Sequence, residues 1–214
     1  MNLQMWAAAL PLGFIATIGA PAHAAEPMPA PQWKVGDRWD YTATVGAGDT
    51  CSKNLATGAI ATVEVVAADA GGYETRRDVN GKATNQKWAL DLTTQSSRGF
   101  SKLKTDAFGF AAAPGAEWES GWFGSVTVKT ELRCTKGAVE KVSVPAGEFD
   151  AVPVACTGSW ENSQNPAFKV NGPATAKYWY APSERNHVKT TFTTLLPNGG
   201  GCVDVTWSLT KPKT

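Results

Sequence analysis

The sequence predicts an all-β fold. Its antiparallel meander would form a curved sheet or incomplete (half) barrel, with a β-sandwich as the alternative. Three observations carry this. Short runs with period-two alternation recur from Trp33 onward. Turn residues separate them at the ~8–12-residue spacing expected of antiparallel sheets. No amphipathic helical stretch competes, because the Ala-rich piece AAAPGAE (111–117) is broken at once by Pro-Gly.

The N-terminus stands apart from that pattern. The apolar run WAAALPLGFIATIGA is followed by Ala22-His23-Ala24, a small-x-small pattern that places signal-peptidase cleavage between Ala24 and Ala25. Pro11 interrupts the run, which falls short of the ~20 apolar residues a spanning helix needs. A signal peptide over residues 1–24 and a periplasmic or secreted location are therefore expected, with no transmembrane anchor after cleavage. AEPMPAPQ (25–32), with its three prolines, is expected to be an extended lead-in outside the fold. Residues 33–214 then form a single β domain, long enough for a sizeable core.

The expected strands follow in order. ATVEVV (61–66), YETRRDV (73–79) and QKWALDL (86–92) are separated by Gly71-Gly72 and by Asn80-Gly81, a type I′ hairpin signal. SVTVKTELRC (125–134) alternates apolar Val126, Val128, Thr130 and Leu132 with polar Thr127, Lys129, Glu131 and Arg133, so one face is wet. Then come VEKVSV (139–144), DAVPVAC (150–156), AKYWYA (176–181), HVKTTFTTL (187–195) and CVDVTWSLT (202–210). GAGDTCSKNLATG (46–58) and ENSQNPAFKVNGPAT (161–175) read as long polar loops. In PAGEF (145–149), Pro145 offers no donor and Gly147 permits positive φ, so turn chemistry alone makes it a corner between two strands.

Cys51, Cys134, Cys156 and Cys202 are an even set in an exported chain, which argues for two disulfides. Four cysteines allow three connectivities. The favoured one nests Cys134–Cys156 inside Cys51–Cys202, since the first pair flanks PAGEF. If Lys136-Gly137 were also a tight hairpin, those two cysteines would stand two strand spacings apart, ~9.6 Å, beyond the ~7 Å reach of a disulfide. The pairing requires a bulge near Lys136-Gly137 or a strand that is not sequentially adjacent.

VPAGEFDAVPV followed by YWYAPSERNHVK (178–189) resembles a VPAGxF…YWYAP…VK signature of exported bacterial β-rich proteins, the DUF3108-like families of unknown function. AAAPGAEWES (111–120) and VGDRWDYT (35–42) are similar to further segments of such proteins. The resemblance implies an antiparallel envelope domain, open or half-barrel, and carries no catalytic residues with it.

Lys plus Arg total 20 against 19 Asp plus Glu, interspersed, so no basic cluster suits nucleic acid. No Cys/His spacing suits zinc, and neither metal nor cofactor is expected. His187 is the only histidine after the leader, placed at a strand start and expected to be exposed; no serine-hydrolase signature accompanies it. Glu117 and Glu119, two apart, would sit ~6.5–7 Å from each other on one strand face, within the ~5–9.5 Å of glycosidase carboxyl pairs. Arg76-Arg77 beside Glu74 and Asp78 reads as cross-strand charge pairing.

Aromatic residues are the remaining signal. Trp39, Trp88, Trp179 and Trp207 fall within strands and read as packing. Phe108, Phe110, Trp118, Trp122 and Phe123 cluster in a Gly-rich, weakly strand-like stretch, and Trp160 borders the second long loop. These six are the candidate ligand-binding set, lining the mouth of a concave sheet. The function expected is non-enzymatic: binding a hydrophobic or lipid-like small molecule, or a cell-envelope component. The competing expectation is a structural or assembly factor pairing through a sheet edge. A third is a glycan-active enzyme using Glu117 and Glu119.

Overall fold

The computed structural model describes residues 28–52, 55–98, 101–113, 115–125, 127–163 and 170–211. The signal segment and its Ala24–Ala25 junction lie outside them. The described residues form strands and turns without a helix, so none is present that is long and apolar enough to cross a membrane. The strands are β1 (Arg38–Val45), β2 (Ile60–Asp69), β3 (Gly72–Val79), β4 (Lys82–Trp88), β5 (Thr94–Arg98), β6 (Ser101–Thr105), β7 (Glu117–Phe123), β8 (Val128–Lys136), β9 (Glu140–Val144), β10 (Gly147–Asn162), β11 (Val170–Ala181), β12 (Asn186–Leu195) and β13 (Gly201–Lys211).

One antiparallel sheet of 11 strands holds nearly all of them, in the order β4-β3-β2-β1-β13-β12-β11-β10-β8-β7, with β9 also on β10. The order is sequential on both sides of the β1–β13 junction, where the two ends of the domain meet. β4 and β7 terminate the path unpaired with each other, so the sheet is curved and open, neither a closed barrel nor a sandwich. β5 and β6 form a separate two-stranded hairpin bridging the two free edges. The Gln86 amide of β4 donates to Thr94 Oγ1 at 2.7 Å, and the Phe123 backbone N–H of β7 donates to Ser96 Oγ at 3.1 Å.

Local chemistry explains the turns. Asn80 (φ 50) and Gly81 (φ 82) supply the two positive-φ positions of a type I′ hairpin between β3 and β4. PAGEF is a corner, but a tighter one than five residues. Val144 pairs Gly147, only Pro145-Ala146 leave the ladder, and Glu148 and Phe149 already belong to β10.

Lys136-Gly137 is not a hairpin. β8 pairs β10 up to Lys136 opposite Val154, the Gly137 N–H donates to the Pro153 carbonyl, and β9 resumes with Glu140 opposite Ala151. The register steps by one residue, a bulge that leaves Cys134 directly opposite Cys156. Their Cα atoms are 4.0 Å apart and the disulfide forms; Cys51 and Cys202 form the other.

Three expectations are corrected. QKWALDL is strand only to Trp88, and residues 89–92 turn, with the Leu92 N–H donating to the Ala89 carbonyl. Most of ENSQNPAFKVNGPAT outside 164–169 is strand, since β10 runs to Asn162 and β11 starts at Val170. The lead-in packs against the fold from Met28, whose side chain is buried, and the Pro31 carbonyl accepts from Tyr73 Oη at 3.3 Å.

Most buried side chains gather at the two ends of strands β10–β13, and a smaller third cluster joins Ala43, Ala59 and Val205. One cluster is aromatic and includes Trp33, Trp39, Tyr73, Phe108, Phe110 and Tyr180. The other is built from Cys134, Cys156, Trp160, Ala174, Ala176 and Cys202.

Candidate functional site: a cavity in the open sheet

Between the two clusters the concave face encloses a cavity of ≈ 570 Å³. That lies within the ~300–1,000 Å³ typical of ligand pockets. β1–β4 and β11–β13 supply one wall, and the β5–β6 hairpin with the end of β7 supplies the other. The wall is mainly apolar and aromatic, with Trp33, Trp88, Phe108, Trp122, Phe192 and Trp207 among its residues. Threonine hydroxyls at 75, 84, 94, 105 and 190, with Gln86, Ser96 and Asn186, provide scattered polarity.

Period two decides which side chains enter. Tyr73 and Thr75 of β3 are buried, and Arg77, four residues on from Tyr73, shares their face. Its guanidinium lies over the Trp207 ring, 5.3 Å from the centroid. Desolvation lowers the Arg77 pKa, yet the side chain remains open to water through the cavity. Cross-strand charge pairing does not describe Arg77, whose register partners are Val63 and Thr84.

His187 does sit at the start of β12, but it is half-buried and not exposed. Trp179 pairs Lys189 while Tyr180 pairs His187, leaving Val188 as an extra residue on β12. This bulge turns His187 onto the face that Thr190 and Phe192 occupy, inside the cavity. Its ring stacks on Tyr41 at 4.9 Å and faces Phe108 at 6.2 Å. Desolvation, helped by the nearby Arg77 cation, pushes its pKa down to about 4, so the imidazole is neutral near pH 7. Tyr41 Oη donates to the His187 carbonyl at 2.9 Å, and burial holds its pKa well above the ordinary tyrosine value. Tyr178, also on the wall, is pushed up to about 12 by burial.

Of the six expected ligand-binding aromatics, Phe108, Trp122 and Phe123 line the cavity. Phe110 packs beneath it against Phe108 and Tyr180. Trp118 lies elsewhere, its indole N–H donating to the Asp106 carbonyl at 2.8 Å. Trp160 is buried in the disulfide cluster, donating to the Leu195 carbonyl at 2.9 Å. Tyr41 is a cavity residue that the sequence did not single out, and Arg77, His187 and Trp207 line the cavity instead of serving the charge-pairing, exposed and packing roles expected of them. The alternation in YETRRDV could have found Arg77, whereas nothing in HVKTTFTTL marks the bulge that re-aims His187.

Glu117 and Glu119 stand on the exposed face of β7, away from the cavity. Glu117 pairs with Arg133 at 3.7 Å, while Glu119 borders a separate polar groove that Glu117 does not line. The two carboxylates flank Arg133 on this exposed face and do not enter the cavity. Among the described residues, no group of three or more His, Cys, Asp or Glu side chains could hold a metal ion.

Fold and cavity together define an open antiparallel half barrel with an aromatic interior, its mouth crossed by the β5–β6 hairpin. No family model matches the chain, and no curated protein matches it. Two solved structures are similar. One is a candidate lipoprotein of Parabacteroides distasonis, with a TM-score of 0.50 and 11% identity, covering 87% of this chain and 97% of that one. The other is a candidate exported protein with a YmcC-like fold from Bacteroides fragilis, with a TM-score of 0.48 and 14% identity, covering 85% of this chain and 96% of that one. The first shares the fold; at such identity the likeness extends no further.

Proposed function

We propose that this chain is an exported cell-envelope protein, of the kind its DUF3108-like signature suggests, that holds a hydrophobic, lipid-like small molecule in its concave face. The carrying observation is the aromatic-walled cavity of ≈ 570 Å³ between two packed clusters. Its mainly apolar wall, with polar side chains set between the aromatic ones, suits a small molecule with an apolar body. Two disulfides support a periplasmic or secreted location. Pairing through a sheet edge gains less support, because the free edge strand β4 is polar and carries Lys82 and Lys87, residues that discourage edge association.

The test is native mass spectrometry of protein purified without detergent, followed by solvent extraction and uptake of an apolar fluorophore. A discrete bound mass that leaves on extraction is expected. The emptied protein should take up the fluorophore, and Thr190→Trp, which fills the cavity from β12, should abolish uptake without changing the far-UV spectrum. A clean apo mass together with no uptake by the wild type would overturn the reading.

A further inference from the structure

The cavity wall is uneven in charge. Arg77 is its sole formally charged side chain among the described residues; no Asp, Glu or Lys lines it. The guanidinium donates no hydrogen bond to protein and joins no ion pair among those residues. The side chain is open to water through the cavity, so its planar fork of five N–H donors is met by solvent and is available to an incoming anion. His187 does not compete for an anion because it is neutral, and the Tyr41 hydroxyl proton is already committed to the His187 carbonyl. Beside this cation the wall consists of Trp207, Tyr41 and, on the facing strand, Thr84.

Building on the lipid-like reading above, we infer that the ligand is an acidic amphiphile: a single-chain apolar body with one anionic head, carboxylate or phosphate monoester, gripped by Arg77. The fork geometry of arginine accepts two oxygens of either head in parallel hydrogen bonds. The hydrocarbon then lies against Trp122, Phe123 and Phe192. A zwitterionic or cationic head is disfavoured, since no wall carboxylate meets its positive charge. A head with two or more phosphate or carboxylate groups is disfavoured too, since Arg77 is the one wall cation to meet it.

The experiment is displacement of an apolar fluorophore from the delipidated protein by dodecanoate, dodecyl phosphate and dodecanol, three molecules with one chain length. Wild type should prefer at least one of the anions over the alcohol by about tenfold, the scale of one added charge-assisted contact. Whichever anion is preferred names the head. Arg77→Gln should erase the preference while leaving dodecanol affinity within about twofold, and Arg77→Lys should restore part of it. Equal displacement by all three in the wild type overturns the anionic head and leaves the cavity reading intact. Preference retained in Arg77→Gln overturns the role of Arg77. Failure of the wild type to bind the fluorophore or any of the three sinks the cavity reading, and this inference with it. Should Arg77→Gln not fold, Arg77→Lys decides the matter, because a point charge without the fork should weaken the anions selectively and spare the alcohol.

Discussion

The two ends of strands β10–β13 are held by opposite means. At one end, aromatic rings fill the space and their polar tips fasten loops. Trp33 and Trp39 donate indole N–H bonds to the carbonyls of Arg185 and Glu184 in the β11–β12 turn, at 2.7 and 2.9 Å. Arg185 Nη2 donates to both carboxylate oxygens of Asp37 at 2.9 Å, and its Nη1 donates to the Gln32 carbonyl. At the other end, small residues let backbones close up and disulfides bind them. Gly172 is an example: a Cβ there would sit 2.0 Å from the Leu195 carbonyl oxygen. Bulk secures one end and covalent links secure the other. Neither fills the middle, where threonines and a lone arginine face inward, and there the cavity remains.

The largest effect should come from breaking the aromatic end. Trp39 is wholly buried, and its N–H is bonded. Trp39→Ala leaves a large hole and removes the indole hydrogen bond to the Glu184 carbonyl, and should cost about 3–5 kcal/mol in urea unfolding. Hydrogen exchange should then rise in β1, β13 and the β11–β12 turn before it rises in β8. Uniform loosening would mean that the two ends are one unit, and the contrast drawn between them would fail.

The disulfide end should give a smaller but comparable response. Replacing Cys134 and Cys156 together by alanine frees a loop closed across 22 residues. Loop-closure entropy places the loss at about 3 kcal/mol. The same exchange experiment sharpens the contrast: β8 and the distal half of β10 should lose protection while Trp39 and its neighbours keep theirs. A stability loss below about 1 kcal/mol would mean that the register set by the bulge, and not the covalent link, holds β8 to β10.

How much of this was legible follows from the physics of each element. Alternation is local, so the all-β class, the Asn80-Gly81 hairpin and the Pro145-Ala146 corner could be read directly from the residues. Strand order is not local. The β1–β13 junction joins residues roughly 160 positions apart, and no short-range pattern encodes it. β5 and β6 were missed because TQSSR and SKLKT lack any apolar alternation. They are held by side-chain and backbone bonds to the sheet's edges instead. The candidate site was half legible: aromatic composition led to Phe108, Trp122 and Phe123, but pointed equally to Trp118 and Trp160, whose N–H groups are bonded away from the cavity.

The smallest effect tests the middle itself. His187 faces the cavity between Tyr41 and Phe108, with Arg77 the nearby cation that disfavours its protonation. Its folded pKa of about 4 lies below the ~6.5 of an unfolded histidine. Between those values the unfolded chain binds the proton and the folded one does not. Stability from this group is therefore complete above about pH 6.5, falls as pH drops through the window and levels off below about pH 4. The whole shift would amount to about 3 kcal/mol, but water in the cavity screens the imidazole and about 2 kcal/mol is the expected loss. His187→Phe keeps a ring stacked on Tyr41 and cannot titrate. Urea midpoints of wild type and variant should run parallel above pH 7 and diverge toward pH 4.5, with the wild type falling faster. Curves that stay parallel throughout would mean that the cavity solvates His187 like open water, and a site that wet has no apolar interior to offer a ligand.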